Sequence, residues 1–406
     1  MPEMKIPELM APAGNFAKMK TALHFGADAV YLGLKQFSLR SFAGNFTIEE
    51  LEEALDYAHS LGNKVYVALN MMPVSADFKD LSVILPKLSN LKPDGVIVSD
   101  PGVVSLLRRE APELRLHLST QASTLNSESV AFWGKSGIRR VVLARELSIE
   151  QIREISASSE IELEVFTHGA LCISYSGRCF LSLYMSGRDA NRGECAQSCR
   201  WQYRVLEETE RDGEYFPIEE DSRGSYIFNS KDLCALPLLP ELVSSGVNSL
   251  KIEGRMKSTH YVGITVDVYR RGLDILKERG ESEFREAAPE LVAELARVSN
   301  RGFTTNFLNG TPGQNEYSFE KCAVSNPYAF LGEVVEKYDG YLALNLKNPI
   351  RQGDSIELCD RGFLREKVAV KEILDNAGNV LDFGRSGEVI RLNGHFQTGV
   401  GGLARK

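Results

Sequence analysis

Short apolar runs alternate with amphipathic stretches over the first 255 residues. The runs are Glu8–Ala13, Ala29–Gly33, Lys64–Asn70, Gly95–Asp100, Arg115–Gln121, Arg140–Ala144, Glu162–Thr167 and Ser249–Glu253. Most lack clean apolar–polar alternation, as expected of parallel strands covered on both faces. Between them lie helical patterns. Thr47-Ile-Glu-Glu50 and Ser148-Ile-Glu-Gln151 read as capping boxes, in which side chain and backbone satisfy each other's first-turn groups. Gly26, Gly62, Gly137 and Gly246 fall where helices end before the next strand, positions that favour left-handed backbone. Eight strand–helix units in this order predict an α/β fold, a TIM-type (β/α)8 barrel. A doubly wound open sheet is the competitor. It would carry a GxGxxG after the first strand, and Ala11-Pro-Ala-Gly-Asn15 is not that motif.

The rhythm breaks after strand seven. Residues 170–231 form a cysteine-rich insertion with many glycines and the acidic stretch Glu207–Asp221. A long connection within a domain is usually functional or disordered, and a loop after a barrel strand opens onto the catalytic face. Beyond strand eight, His260–Arg279 reads as an amphipathic helix, with helical character continuing to about Arg297. Residues Phe330–Lys406 alternate in runs such as Tyr341-Leu-Ala-Leu-Asn-Leu-Lys347, punctuated by Gly, Asn and Asp. They predict a small C-terminal antiparallel β-barrel. The expected domains are 1–305 for the barrel, 306–329 for a linker and 330–406 for the small domain.

Composition adds limits. The 406 residues are 43% hydrophobic and 25% charged, with a net charge of -8. Any nucleic-acid contact must therefore use a local patch. No run of about 18 apolar residues predicts a membrane helix. The stretch Met1–Gly14 lacks the order of a signal peptide, so a reducing cytoplasm is expected.

Seven cysteines are unevenly placed: 172, 179, 195, 199, 234, 322 and 359. In a reducing compartment, clustered thiols point to metal or redox chemistry. Cys172/Cys179 and Cys195/Cys199 form two closely spaced pairs, a pattern for a four-thiolate site holding zinc or an iron–sulfur cluster. Zinc ribbons favour two-residue gaps, so these wider ones lean toward a cluster. The four-residue offset of Cys195 and Cys199 would place both thiols on one helical face. Cys234 is either an alternative fourth ligand or a buried helix residue. Cys322 and Cys359 read as ordinary strand residues.

Polar residues near predicted strand ends are Asn70, Asp100, His117, Gln121, Arg145, His168 and Glu253, where barrel enzymes place their chemistry. His168, His117 and Glu253 are the catalytic candidates. Two segments are locally basic. Cys172–Arg204 holds five arginines against Asp189 and Glu194, and Lys251–Arg279 holds seven basic against four acidic residues. Arg192, Arg200, Arg204 and Trp201 are the candidates for a nucleic-acid surface such as RNA-binding would need, with Tyr175, Tyr184 and Tyr203 interleaved as rings on which unpaired bases stack. There is no HExxH motif and no GxSxG elbow, so a peptidase lacks its usual machinery.

The segment Glu164-Val-Phe-Thr-His-Gly-Ala-Leu-Cys-Ile-Ser-Tyr-Ser-Gly-Arg-Cys-Phe-Leu-Ser182 resembles the signature of the peptidase U32, or collagenase-like protease, family. Ala27-Asp-Ala-Val-Tyr31, His117-Leu-Ser-Thr-Gln121, Asn191-Arg-Gly-Glu-Cys195, Ser198-Cys-Arg-Trp201, Asn229-Ser-Lys-Asp-Leu233 and Lys251-Ile-Glu-Gly-Arg255 agree with it. The layout is similar to that of its prephenate-dependent tRNA uridine hydroxylases. The resemblance implies hydroxylation of the wobble uridine of tRNA to 5-hydroxyuridine. It also implies prephenate as co-substrate and a [4Fe-4S] cluster on Cys172, Cys179, Cys195 and Cys199, with zinc a substitute in aerobic preparations. Ubiquinone-pathway members vary the fourth ligand, which keeps Cys234 open. Prephenate carries two carboxylates, which arginine binds bidentately. Arg145, Arg178 and Arg255, with Asn70 and Gln121, are the substrate-binding candidates. The alternatives are oxygen-independent hydroxylation in ubiquinone biosynthesis, a U32-type peptidase, and a non-catalytic metal-stabilised RNA-binding protein.

Overall fold

A computed structural model describes residues 5–35, 37–38, 44–172, 174–200, 219–221, 224–226, 231–310 and 325–406. The chain divides into two compact units: Met1–Phe16, Asp28–Met256 and Asn300–Val324 form the first, and Ala17–Ala27, Lys257–Ser299 and Ser325–Lys406 the second.

The first unit is a TIM-type barrel. Its strands are β1 (Glu8–Pro12), β2 (Ala29–Gly33), β3 (Lys64–Leu69), β4 (Gly95–Val98), β5 (Leu116–Leu118), β6 (Ile138–Val142), β7 (Glu162–Ala170) and β8 (Ser249–Ile252). Each lies parallel to its sequence neighbour, and β8 pairs with both β7 and β1, which closes the ring. Both capping boxes form. Thr47 accepts from Glu50 N while the Glu50 carboxylate accepts from Thr47 N, and Ser148 and Gln151 do the same. The helix-ending glycines 62, 137 and 246 all have left-handed φ. Asp100 is spent on structure: it caps the helix Pro101–Glu110 by accepting from Val103 N at 3.0 Å.

Strand β7 runs three residues past its expected end. The strand Asp232–Cys234 folds back antiparallel along it, pairing Asp232 with Ala170, Leu233 with Gly169 and Cys234 with His168. Cys234 is thus a buried strand residue, not a helix residue. A 3-10 turn, Leu236–Leu238, follows it and leads into the helix Leu239–Ser244.

The barrel interior is charged as well as apolar. Met10, Ala29, Tyr31, Tyr66 and Ile97 form an apolar cluster. Beside it, Arg140 bonds Glu8 at 2.7 Å, Glu162 at 2.7 Å and Glu164 at 3.2 Å, and Glu164 bonds Lys251 Nζ at 2.8 Å. Glu164 is fully buried, and Arg140 and Lys251 nearly so. Ions this deep persist only when paired.

The second unit pairs two helices with an antiparallel sheet. The helix Thr259–Arg279 was expected to be amphipathic, but residues 260–269 are buried on every face. A Cβ on Gly263 would come within 2.7 Å of Leu403, so this surface needs a glycine. Eight strands, from Phe330–Tyr338 to Leu403–Arg405, form the sheet. Its core includes Leu342, Leu344, Ile356, Leu358 and Ile390. Arg405, fully buried, is matched by Glu294 at 2.8 Å and also by Glu357; Arg365 joins Glu294 to Asp267. Among the described residues no helix is long and apolar enough to cross a membrane.

Candidate active site at the carboxyl ends of the barrel strands

The residues that end β3, β4 and β5 form a polar mouth. Asn70 Nδ2 donates to Gln121 Oε1 at 2.7 Å and to Ser119 Oγ at 3.3 Å, and Gln121 Nε2 returns a bond to Asn70 O at 3.0 Å. Ser99 Oγ donates to the same carbonyl at 3.1 Å. Asn70 Oδ1 is buried without a hydrogen-bond partner, a free acceptor in a polar site. Past β8, Arg255 is buried. It donates to Ser38 Oγ at 2.8 Å and sits 5.9 Å above the Tyr31 ring. Gly33 makes room for it, since a Cβ there would stand 2.2 Å from the guanidinium.

The histidines differ in depth. His168 is buried near the end of β7, with its ring 5.6 Å from Phe303, and its carbonyl accepts from Glu253 N at 2.8 Å. Glu253 is half-buried. His117 lies lower, in register with Ile97 and Arg140 and 4.8 Å from the Tyr66 ring. Burial, with Arg140, Arg115, Lys251 and Lys64 nearby, holds its imidazole well below its ordinary pKa. It is therefore neutral, and neither ring nitrogen has a partner.

The cysteine-bearing segment is moored over these strand ends. Met72 N, after β3, donates to Asn191 O at 2.9 Å. Ser123 Oγ, after β5, donates to Ser176 O at 2.6 Å. Glu146, after β6, accepts from Ser176 N at 2.9 Å. Gly177 lies against Gln121 so closely that a Cβ would meet Gln121 Cα at 2.5 Å, and its φ of +74° is left-handed. Arg145 donates to Ala170 O at 2.9 Å, approaches Cys172 Sγ at 4.0 Å and covers Phe166. Asn191 Nδ2 holds Cys179 O at 3.0 Å.

Among the described residues no cysteine forms a disulfide. Cys172 is exposed, Cys179, Cys195 and Cys199 are half-exposed, and Cys234 and Cys359 are buried. Burial pushes the Cys359 thiol up to about 12, as for an inert core cysteine. Among the described residues no three His, Cys, Asp or Glu side chains stand together at metal-binding geometry. The shared helical face for Cys195 and Cys199 does not form. Gln197 between them is left-handed, φ 55°, and only Ser198–Arg200 makes a 3-10 turn. The donor set still fits a thiophilic metal or cluster in its chemistry. Four accessible thiols share one segment, and two have N–H groups directed at sulfur: Gln197 N to Cys195 at 3.4 Å, and Arg145 to Cys172. N–H donors directed at sulfur are a usual feature around the cysteine ligands of clusters.

The arginines separate. Arg178 is exposed. Arg192 binds Asp77 bidentately at 2.9 and 3.2 Å and donates to Met72 O, so its charge is matched within the barrel unit. Trp201, Arg204, Cys322 and the side chain of Arg200 lie outside the described residues. Sequence reasoning missed the ion chain through Glu8, Arg140, Glu164 and Lys251. Its only local signal is charge placed inside apolar strand patterns.

The model of peptidase family U32 matches residues 14–318. The chain belongs to this family. Among curated relatives, this U32 chain is similar to tRNA hydroxylation protein P1 of Bacillus subtilis (strain 168), at 41% identity over 94% of this chain and 90% of the relative. Similarity to tRNA hydroxylation protein P of Escherichia coli (strain K12) is 38%, covering 87% and 86%. The 23S rRNA 5-hydroxycytidine C2501 synthase of the same organism is 32% identical over 86% of this chain but 52% of its own length.

Proposed function

We propose that this U32 chain is an RNA-modifying enzyme of the cytoplasm that hydroxylates the wobble uridine of tRNA to 5-hydroxyuridine. In this reading prephenate is the co-substrate, and Cys172, Cys179, Cys195 and Cys199 hold a [4Fe-4S] cluster. The observation that carries it is the mooring of a four-thiol segment over the carboxyl ends of β3, β5 and β6, beside a polar mouth. Relatives alike over most of their length and named for tRNA hydroxylation support the choice of substrate.

The residues divide the work by chemistry. Arg255 and Arg145 offer guanidinium forks for a dicarboxylate, the geometry in which arginine outperforms lysine. Arg255, already desolvated and braced by Ser38 and Tyr31, loses little freedom on binding. Asn70 and Gln121 hold each other's amides fixed, and the free Asn70 Oδ1 suits an N–H on a pyrimidine edge. His168 and Glu253, joined across β7 and β8, are the groups available to move a proton. A bound cluster would supply one-electron redox or Lewis-acid chemistry that these side chains lack. A peptidase reading has neither an HExxH motif nor a GxSxG elbow to rest on.

The test is mass spectrometry of tRNA nucleosides from a strain lacking this protein. Loss of 5-hydroxyuridine derivatives is expected. An unchanged tRNA profile with altered quinones would move the activity to a small-molecule ring.

A further inference from the structure

The segment that carries the thiols also presents aromatic side chains outward. Tyr175 is 61% exposed, Phe180 66% and Tyr184 77%. Their placement inverts the usual rule for a short helical turn. Over Leu181–Ser186 the fully buried side chain is Ser182, whose hydroxyl donates to Arg188 O at 2.7 Å and accepts from Ala196 N at 2.9 Å. Phe180 and Tyr184 face solvent instead. Tyr184 N donates to Phe180 O at 3.0 Å, so the two rings stand one turn apart on the same face. Tyr175 precedes them across a turn closed by Arg178 N to Tyr175 O at 3.0 Å. Large rings left in water forgo the burial that stabilises most aromatics.

Charge decides what covers them. From Cys172 to Arg188 the chain contains Arg178 and Arg188 and no acidic residue. Arg178 is exposed between the first two rings. Accessible aromatics interleaved with the exposed Arg178 match the needs of unpaired nucleotides: a flat face for each base and a cation for the phosphates. An apolar protein partner would not need the exposed cation.

We propose that Tyr175, Phe180 and Tyr184, with Arg178, form a stacking platform for unpaired bases of a single-stranded RNA segment. This rests on the RNA-modifying reading above and deepens it. The platform, rather than Arg192, supplies the sequence-tolerant grip, because Arg192 is already held by Asp77. Its position on the segment moored over the strand ends brings the gripped strand to the face that carries the polar mouth.

The test is fluorescence anisotropy of the full-length protein with two labelled RNAs, a stem-loop with an unpaired loop and the matching perfect duplex. Phe180→Ser and Tyr184→Ser should each weaken the stem-loop about 5- to 100-fold, the loss expected for one stacked base, and leave duplex binding nearly unchanged. Tyr184→Phe keeps the ring and should retain affinity. These variants remove no charge, so the salt slope should stay that of the parent, whereas Arg178→Ala should flatten it. Both side chains are solvent-facing, and unchanged circular dichroism will show that the fold is kept. Parent-like binding of the stem-loop by both serine variants would overturn the platform while leaving the RNA reading standing. Equal losses on the duplex, or a Tyr184→Phe variant as weak as Tyr184→Ser, would also overturn it. Loss of self-association with unchanged RNA binding would reassign the face to a second copy of the chain. If the parent binds neither RNA, the platform and the RNA-modifying reading fall together.

Discussion

Glu164→Gln tests the charged interior of the barrel. Glu164 is fully buried and accepts from Lys251 Nζ at 2.8 Å and Arg140 at 3.2 Å. The two cations respond differently to its loss. Arg140 keeps Glu8 and Glu162, each at 2.7 Å. Lys251 loses its carboxylate and keeps an uncharged amide oxygen and the faces of Tyr31 and Phe166, 4.3 and 5.5 Å away. Breaking a buried pair by removing one partner costs about 3–5 kcal/mol. The ring contacts are present before and after the change, so they offset none of this loss. The expected loss at neutral pH is thus about 3–5 kcal/mol. Burial already lowers the Lys251 ammonium below its ordinary 10.5, with Glu164 working against the shift. Without that carboxylate the folded value falls further. Above 10.5 both the folded and unfolded lysines are neutral; below the folded value the full penalty applies. The variant should therefore gain stability relative to the parent as pH rises from its own folded Lys251 value to the parent's higher one, both of which lie below 10.5. Adding Lys251→Met removes the stranded charge and should recover at least half of the loss. Urea unfolding followed by circular dichroism gives the magnitudes, and amide exchange in β7 and β8 gives the location. A single-variant loss below about 1 kcal/mol, the range of a surface pair, would refute the reasoning. So would a double variant less stable than the single.

Anaerobically purified protein should contain iron and sulfide; Cys172→Ala, Cys179→Ala, Cys195→Ala and Cys199→Ala should each lose them, and Cys234→Ala should retain them. Retention by Cys199→Ala with loss by Cys234→Ala would move the fourth ligand, and stoichiometric zinc without iron under strict anaerobiosis would contradict the cluster. Arg255→Ala should lower kcat/KM about 10- to 100-fold, the worth of a charge-assisted bond, with tRNA affinity kept. Arg255→Lys should not restore the rate, because an ammonium cannot reproduce the bidentate fork. Equal losses in rate and tRNA affinity would place Arg255 on the RNA instead.

Local signals carried most of the fold. The eight barrel strands, the Thr47 and Ser148 capping boxes and the terminating glycines depend on neighbours within a few residues, and each was legible. The extension of β7 was not, because it depends on Asp232–Cys234, more than sixty residues downstream, supplying the hydrogen bonds. The same pairing makes Cys234 a strand residue. The burial of residues 260–269 on every face also depends on distant chain, including Leu403 against Gly263. At the site, strand-end positions pointed to Asn70, Gln121 and His168, whereas Arg255 rested on its place just past strand eight and on the family motif. Arg192 could not be read that way, since Asp77 neutralises it from 115 residues upstream. The interior ion chain escaped for a related reason: Glu8, Arg140, Glu164 and Lys251 come from four strands, and only closure of the barrel matches their charges.

The central claim is hydroxylation of tRNA, and the direct measurement is complementation. A deletion strain carrying the parent gene, the Cys195→Ala variant or an empty vector would have its tRNA and ribosomal RNA nucleosides quantified separately by mass spectrometry. The account predicts 5-hydroxyuridine derivatives in tRNA with the parent, none with the variant or the vector, and identical ribosomal RNA in all three. Full 5-hydroxyuridine derivatives in the empty-vector strain, or a change confined to ribosomal RNA, would contradict it.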